Sequence, residues 1–129
     1  MNSANNANIT MITKIGRSLK AAFNGFKDVL VFEHVFRTMV IFAAIIITAM
    51  FYLPTTRTEK AIILVMIFAV LLIELVNSVI ERVMDFVHPG HNEKVGEIKD
   101  LMASISLVTS LGALVIGLMI FWPYLSGLL

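Results

Sequence analysis

Three apolar segments, each long enough to cross a lipid bilayer, constrain this chain more than any other feature. They lie at about 36–53, 61–85 and 100–123. A hydrocarbon core of ~30 Å needs about 20 apolar residues in a helix, and a helix satisfies its own backbone hydrogen bonds in lipid. Hydrophobic residues make up 58% of the chain and charged residues 15%. The sequence therefore predicts an all-α membrane protein with three transmembrane helices in one domain over 11–129.

The segment before the first span has two parts. Residues 1–10 are rich in Asn and Ala and show no apolar periodicity, so we expect a disordered tail. Residues 11–32 predict an amphipathic helix, because an apolar residue recurs every three or four positions. These residues are Ile12, Ile15, Leu19, Phe23, Phe26 and Leu30. The rest of the helix is basic, which is typical of a helix in the membrane interface; packing on a protein partner is the alternative.

The positive charges predict how the chain is oriented. With three spans, the N-terminal segment and the loop after the second span lie on the same side. That side carries Lys14, Arg17, Lys20, Lys27, Arg37, Arg82, Lys94 and Lys99, whereas the other side carries Arg57 and Lys60. Because cytoplasmic loops are enriched in Lys and Arg, we expect a multi-pass membrane protein whose N-terminus and second loop are cytoplasmic.

A polar stripe marks the end of the second span. Its members share an arc of about 100° on a helix: Glu74, Asn77, Ser78, Glu81 and Asp85. Carboxylates near the membrane interior cost free energy, so such a stripe indicates a functional site. A polar seam between packed helices is the alternative.

The chemistry of this region suits phosphoryl transfer to or from a lipid. Most acidic residues lie on the cytoplasmic side, and Mg²⁺ prefers a few carboxylates together with substrate phosphates. Lys99 and Asp100 are expected at the N-terminus of the third span, where a helix start favours phosphate. The chain has no Walker motif or kinase glycine-rich loop. It also has no cysteine, which excludes thiol chemistry, and no basic face for nucleic acid.

Other classes of function are open at this point. A small cation-conducting oligomer would use Glu74 as its titrating carboxylate. A non-catalytic assembly subunit would use a seam of small residues that lets another helix approach, within the chain or between chains. That seam is formed by Ala103, Ser106, Ser110, Ala113 and Gly117.

The combined pattern resembles the small bacterial integral-membrane diacylglycerol kinases. It consists of Glu33-x-x-Phe36-Arg37, then Glu74-x-x-Asn77-Ser78-x-x-Glu81-x-x-x-Asp85, then Lys99-Asp100. The resemblance extends from about Lys14 to Trp122. It implies an ATP- and Mg²⁺-dependent homotrimer that phosphorylates a lipid alcohol, with active sites shared between subunits at the cytoplasmic interface. Diacylglycerol is the favoured substrate, and undecaprenol, used by a related branch of the family, is the alternative.

The resemblance also implies roles for individual residues. Glu74 would be the general base, Asn77 would help to orient it, and Lys99 would neutralise the transferring phosphoryl group. Glu33 and Glu81 would hold the metal.

Asp100 would belong, with Lys99, to the nucleotide site. The chain departs from the usual family pattern at Met39, where an acidic residue is usual, and at Glu97 and Ile98, before the Lys-Asp pair. These departures concern the nucleotide loop and lipid specificity.

Overall fold

The computed structural model describes residues 3–127, with side chains over 11–127. This part of the chain is helical apart from short connections: α1 (Ser3–Phe32), α2 (His34–Tyr52), α3 (Arg57–Val87) and α4 (Glu93–Ser126). Helices α2, α3 and α4 are long and apolar enough to cross a membrane, and they lie where the sequence predicted the three spans. The chain divides into two compact units, Met1–His34 and Val35–Leu129.

Helix α1 makes up most of the first unit. It begins at Ser3, so residues 3–10 are helical where the sequence predicted a disordered tail; Met1 and Asn2 lie outside the described residues. The reason is that extending an existing helix adds one hydrogen bond for each residue ordered, without a new nucleation cost, and alanines at 4 and 7 favour extension.

A capping box sets the start of α3, four residues before the predicted span. The Thr56 backbone N–H donates to Glu59 Oε2 at 2.7 Å, and the Glu59 N–H donates to Thr56 Oγ1 at 3.3 Å. The connection from α2 is tightened by Thr55 Oγ1, which donates to the Met50 carbonyl at 2.9 Å. Because these bonds satisfy the first N–H groups of the helix, α3 begins within the turn itself.

Helix α4 also begins earlier than predicted, at Glu93 instead of about residue 100. Asn92 is its N-cap, and its Oδ1 accepts from the N–H groups of Lys94 at 3.0 Å and Val95 at 3.4 Å. The cap supplies partners for orphan donors at the helix start. Consequently Lys99 and Asp100 lie inside α4, and the predicted phosphate site at a helix start is not formed by them.

Helices α3 and α4 pack against each other as an antiparallel pair. Three side-chain contacts follow the pair from end to end and join residues 14, 32 and 65 positions apart: Lys99–Asp85, Ser106–Glu74 and Tyr124–Glu59. This register brings the polar stripe of α3 alongside α4.

The seam of small residues on α4 is open within this chain from Ser110 to Gly117, whereas Ser106 contacts α3. A Cβ added at Gly117 would meet nothing within 4 Å, and α4 has no buried residue in its described length. Ser110, Ala113 and Gly117 instead line an apolar cavity of about 570 Å³, together with residues of α2 and α3. The seam is therefore available to a helix from outside the chain.

Candidate active site

The polar stripe of α3 runs from a buried end to an exposed end. Glu74, Asn77 and Ser78 expose 5%, 9% and 4% of their surface, Glu81 is half-buried and Asp85 is exposed. At a rise of 1.5 Å per residue, Glu74 and Asp85 are about 16 Å apart along the helix axis. The stripe thus connects a buried carboxylate to the polar end of the helix.

Glu74 receives a hydrogen bond from the neighbouring helix. Ser106 Oγ donates to Glu74 Oε2 at 3.3 Å. A buried carboxylate without such partners is costly, so this contact helps to hold Glu74 in place. Ser106 was placed in the small-residue seam by the sequence and was not assigned to the site. The sequence could have indicated Ser106 through its spacing of seven residues from Lys99, which puts both residues on one face of α4.

Asn77 contacts Glu81, whereas the resemblance assigned it to Glu74. Asn77 Nδ2 donates to Glu81 Oε1 at 3.3 Å. The carboxylate can only accept, which assigns the amide nitrogen to this side. Asn77 Oδ1 is then a buried acceptor with no partner in the described part of the chain. Because a buried acceptor without a donor or cation is costly, this atom marks a place where a ligand can bind.

The described residues contain no group of three or more side chains suited to hold a metal by themselves. The site nevertheless fits Mg²⁺, which takes one or two carboxylates and completes its shell with phosphate oxygens and water. Glu81 and the unpartnered Asn77 Oδ1 supply hard oxygen ligands of the required type. Glu33 lies between α1 and α2 in the first unit, and its place in the site stays a prediction.

Lys99 lies at the exposed end of the stripe. Its Nζ forms an ion pair with Asp85 Oδ1 at 2.5 Å. Asp85 is 11 residues from Glu74, about 16 Å along the axis of α3, and the Lys99 ammonium contacts Asp85 at this far end. Asp100, the neighbouring residue on α4, is exposed. The structure therefore joins Lys99 to the stripe but does not bring it to Glu74 within one chain.

Comparison with known proteins places this arrangement in a family. The model of the family described as prokaryotic diacylglycerol kinase matches residues 20–121, which include the stripe, Lys99 and Ser106. The chain belongs to the prokaryotic diacylglycerol kinase family. It is similar to the diacylglycerol kinase of Haemophilus influenzae, with 29% identity over 114 residues, 88% of this chain and 97% of the relative. It is also similar to the diacylglycerol kinase of Helicobacter pylori, with 32% identity over 114 residues, 86% of this chain and 82% of the relative.

Membership in the prokaryotic diacylglycerol kinase family makes the protein a lipid kinase and a membrane protein, with a lipid and ATP as its substrates. This confirms the class of function that the stripe predicted.

Proposed function

We propose that this protein transfers the γ-phosphoryl group of ATP to the free hydroxyl of diacylglycerol, at the cytoplasmic surface of the bacterial membrane. The products are phosphatidic acid and ADP. The observation that carries the proposal is the buried Glu74 carboxylate, held by Ser106 at the inner end of a polar stripe. Both curated relatives are named diacylglycerol kinase, which favours diacylglycerol over undecaprenol.

Glu74 acts as the general base. It takes the proton of the lipid hydroxyl while that oxygen forms a bond to the γ-phosphorus and the bond from phosphorus to the β-phosphate oxygen breaks. The depth of Glu74 supports this role, because a lipid presents its hydroxyl near the boundary of the apolar region. Proton transfer to a positioned base contributes about 10²–10⁴-fold to the rate of such a reaction.

Glu81, Asn77 and Glu33 would hold a Mg²⁺ ion at the triphosphate end of ATP. When bound, the cation would supply neutralisation of charge on the phosphate oxygens. The Asn77 amide supports this placement, because it fixes Glu81 through Nδ2 and leaves Oδ1 as an acceptor beside it. Asn77 thereby positions Glu81, in place of the contact to Glu74 that the resemblance implied.

Lys99 and Asp100 bind the nucleotide at the exposed end of the stripe. Lys99 and Asp85 expose 34% and 68% of their side chains, so their ion pair is weak and is readily exchanged for a contact with phosphate. The lysine ammonium then neutralises charge on the transferring group.

The protein assembles as a homotrimer with active sites shared between subunits. Two observations support assembly: the small-residue seam of α4 is open around Gly117, and α4 buries no residue within the described chain. Active sites shared between subunits also account for the separation of Lys99 from Glu74 in one chain, because Lys99 of a second subunit supplies the cation beside Glu74. Helix α1 lies in the cytoplasmic interface, with its exposed apolar residues in lipid.

A cation-conducting role is less well supported. A conduction path needs polar groups through the full depth of the membrane, but the segment of α3 from 61 to 73 is entirely apolar. The cavity beside it has Ser110 as its one polar lining residue among those described.

The test is transfer of labelled γ-phosphate from Mg·ATP by purified protein in mixed micelles that contain either diacylglycerol or undecaprenol. We expect label in phosphatidic acid. Label only in the polyprenol product would refute the choice of lipid and retain the kinase mechanism. Absence of label in both products would refute the proposed activity and direct attention to Met39, Glu97 and Ile98.

A further inference from the structure

We infer that Ser106 is a positioning residue for Glu74, which sets the orientation of the general base from the neighbouring helix. This inference rests on the proposed function, in which Glu74 takes the proton of the lipid hydroxyl. Its basis is the 3.3 Å hydrogen bond from Ser106 Oγ to Glu74 Oε2.

The Ser106 hydroxyl bonds differently from three other Ser and Thr hydroxyls of the spanning helices. Thr48, Ser104 and Thr109 donate to the carbonyl four residues earlier in their own helices, at 2.7, 2.8 and 2.9 Å. That local bond is the usual arrangement for Ser and Thr within helices. Ser106 instead donates across to α3, so its hydroxyl is committed to the carboxylate.

This contact has a consequence for catalysis. Glu74 has a flexible side chain, and its reactivity depends on its carboxylate lying within hydrogen-bond reach of the substrate hydroxyl. A donor on α4 restricts that carboxylate to one orientation. A misplacement of about 1 Å costs on the order of 10²-fold in rate, so the loss of this bond should lower the rate of the chemical step.

The test compares two variants that have the same shape, Ser106→Thr and Ser106→Val. Threonine keeps the hydroxyl and valine lacks it. In the mixed-micelle assay we expect Ser106→Val to lower kcat by about tenfold or more, with KM for ATP and for diacylglycerol unchanged, and Ser106→Thr to stay near the unaltered protein. Thr109→Val is the matched control, because Thr109 donates to the Ile105 carbonyl of its own helix, and its kcat should not change.

A second measurement separates positioning through Glu74 from a general effect on packing. In a Glu74→Asp background, Ser106→Val should lower the residual kcat much less than it does alone, because the shorter carboxylate has already lost its position. Equal kcat values for Ser106→Thr and Ser106→Val, with normal activity of the unaltered protein, would overturn the positioning role alone. Absence of lipid phosphorylation by the unaltered protein would overturn the proposed function and this inference with it.

Discussion

Replacing Glu74 with glutamine separates its chemical role from its structural role, because glutamine has nearly the same shape but does not act as a base. Glu74 exposes only 5% of its surface, so its neighbours would register a change in volume. Glutamine avoids that change, and its amide oxygen can still accept the hydrogen bond from Ser106 Oγ.

Glu74→Gln should change kcat far more than it changes the free energy of unfolding. Loss of the base should lower kcat by about 10²–10⁴-fold, which corresponds to about 3–5 kcal/mol of transition-state stabilisation. The free energy of unfolding should change by no more than about 1 kcal/mol, because one hydrogen bond is weakened and no cavity is created. The melting temperature in detergent should therefore stay close to that of the unaltered protein.

The assay is phosphate transfer to diacylglycerol in mixed micelles, measured beside thermal unfolding in the same detergent. Glu59→Gln is the control, since Glu59 lies at the other end of α3, where its Oε2 accepts from Thr56 and from the Tyr124 hydroxyl at 2.7 Å. Its kcat should not change. If Glu74→Gln retained its kcat and lost thermal stability, the stripe would be a packing seam and the reasoning would be refuted.

Four further substitutions test other parts of the proposal. Glu81→Gln should raise the Mg²⁺ concentration for half-maximal activity by about tenfold or more, because one metal ligand is lost; a Mg²⁺ titration measures it. Lys99→Met should lower kcat by about 10²-fold, which steady-state kinetics measures. Asp85→Asn removes the partner of the Lys99 ion pair and should change the free energy of unfolding by less than about 1 kcal/mol. Thermal melts measure this second effect. Gly117→Leu should reduce the size of the oligomer in detergent, measured by light scattering, because a larger side chain blocks close helix approach.

Each of these predictions has a control variant or a result that would contradict it. Glu93→Gln, in the exposed first turn of α4, should leave the Mg²⁺ titration unchanged. Equal losses of kcat in the Lys99 and Asp85 variants would show that the ion pair is structural. Gly112→Leu, at a glycine outside the seam that also has open space around it, should leave the oligomer intact. An intact oligomer in Gly117→Leu would reject the seam as an interface.

The sequence alone determined those features of the protein that depend on local periodicity and composition. The three spans follow from apolar length, and the stripe of α3 follows from spacings of three and four residues. Both are properties of a single helix, whose rise and rotation per residue are constant. The combined pattern of Glu33-x-x-Phe36-Arg37, the stripe from Glu74 to Asp85 and Lys99-Asp100 was also specific enough to indicate the family.

The tertiary structure decided the pairings between helices. Ser106 and Glu74 are 32 residues apart, and their contact depends on the register of α4 against α3. That register follows from where the helices begin, and Asn92 starts α4 about seven residues before its apolar run. Because helix caps and connections determine register while apolar runs do not, the donor to Glu74 and the position of Lys99 inside α4 required the folded structure.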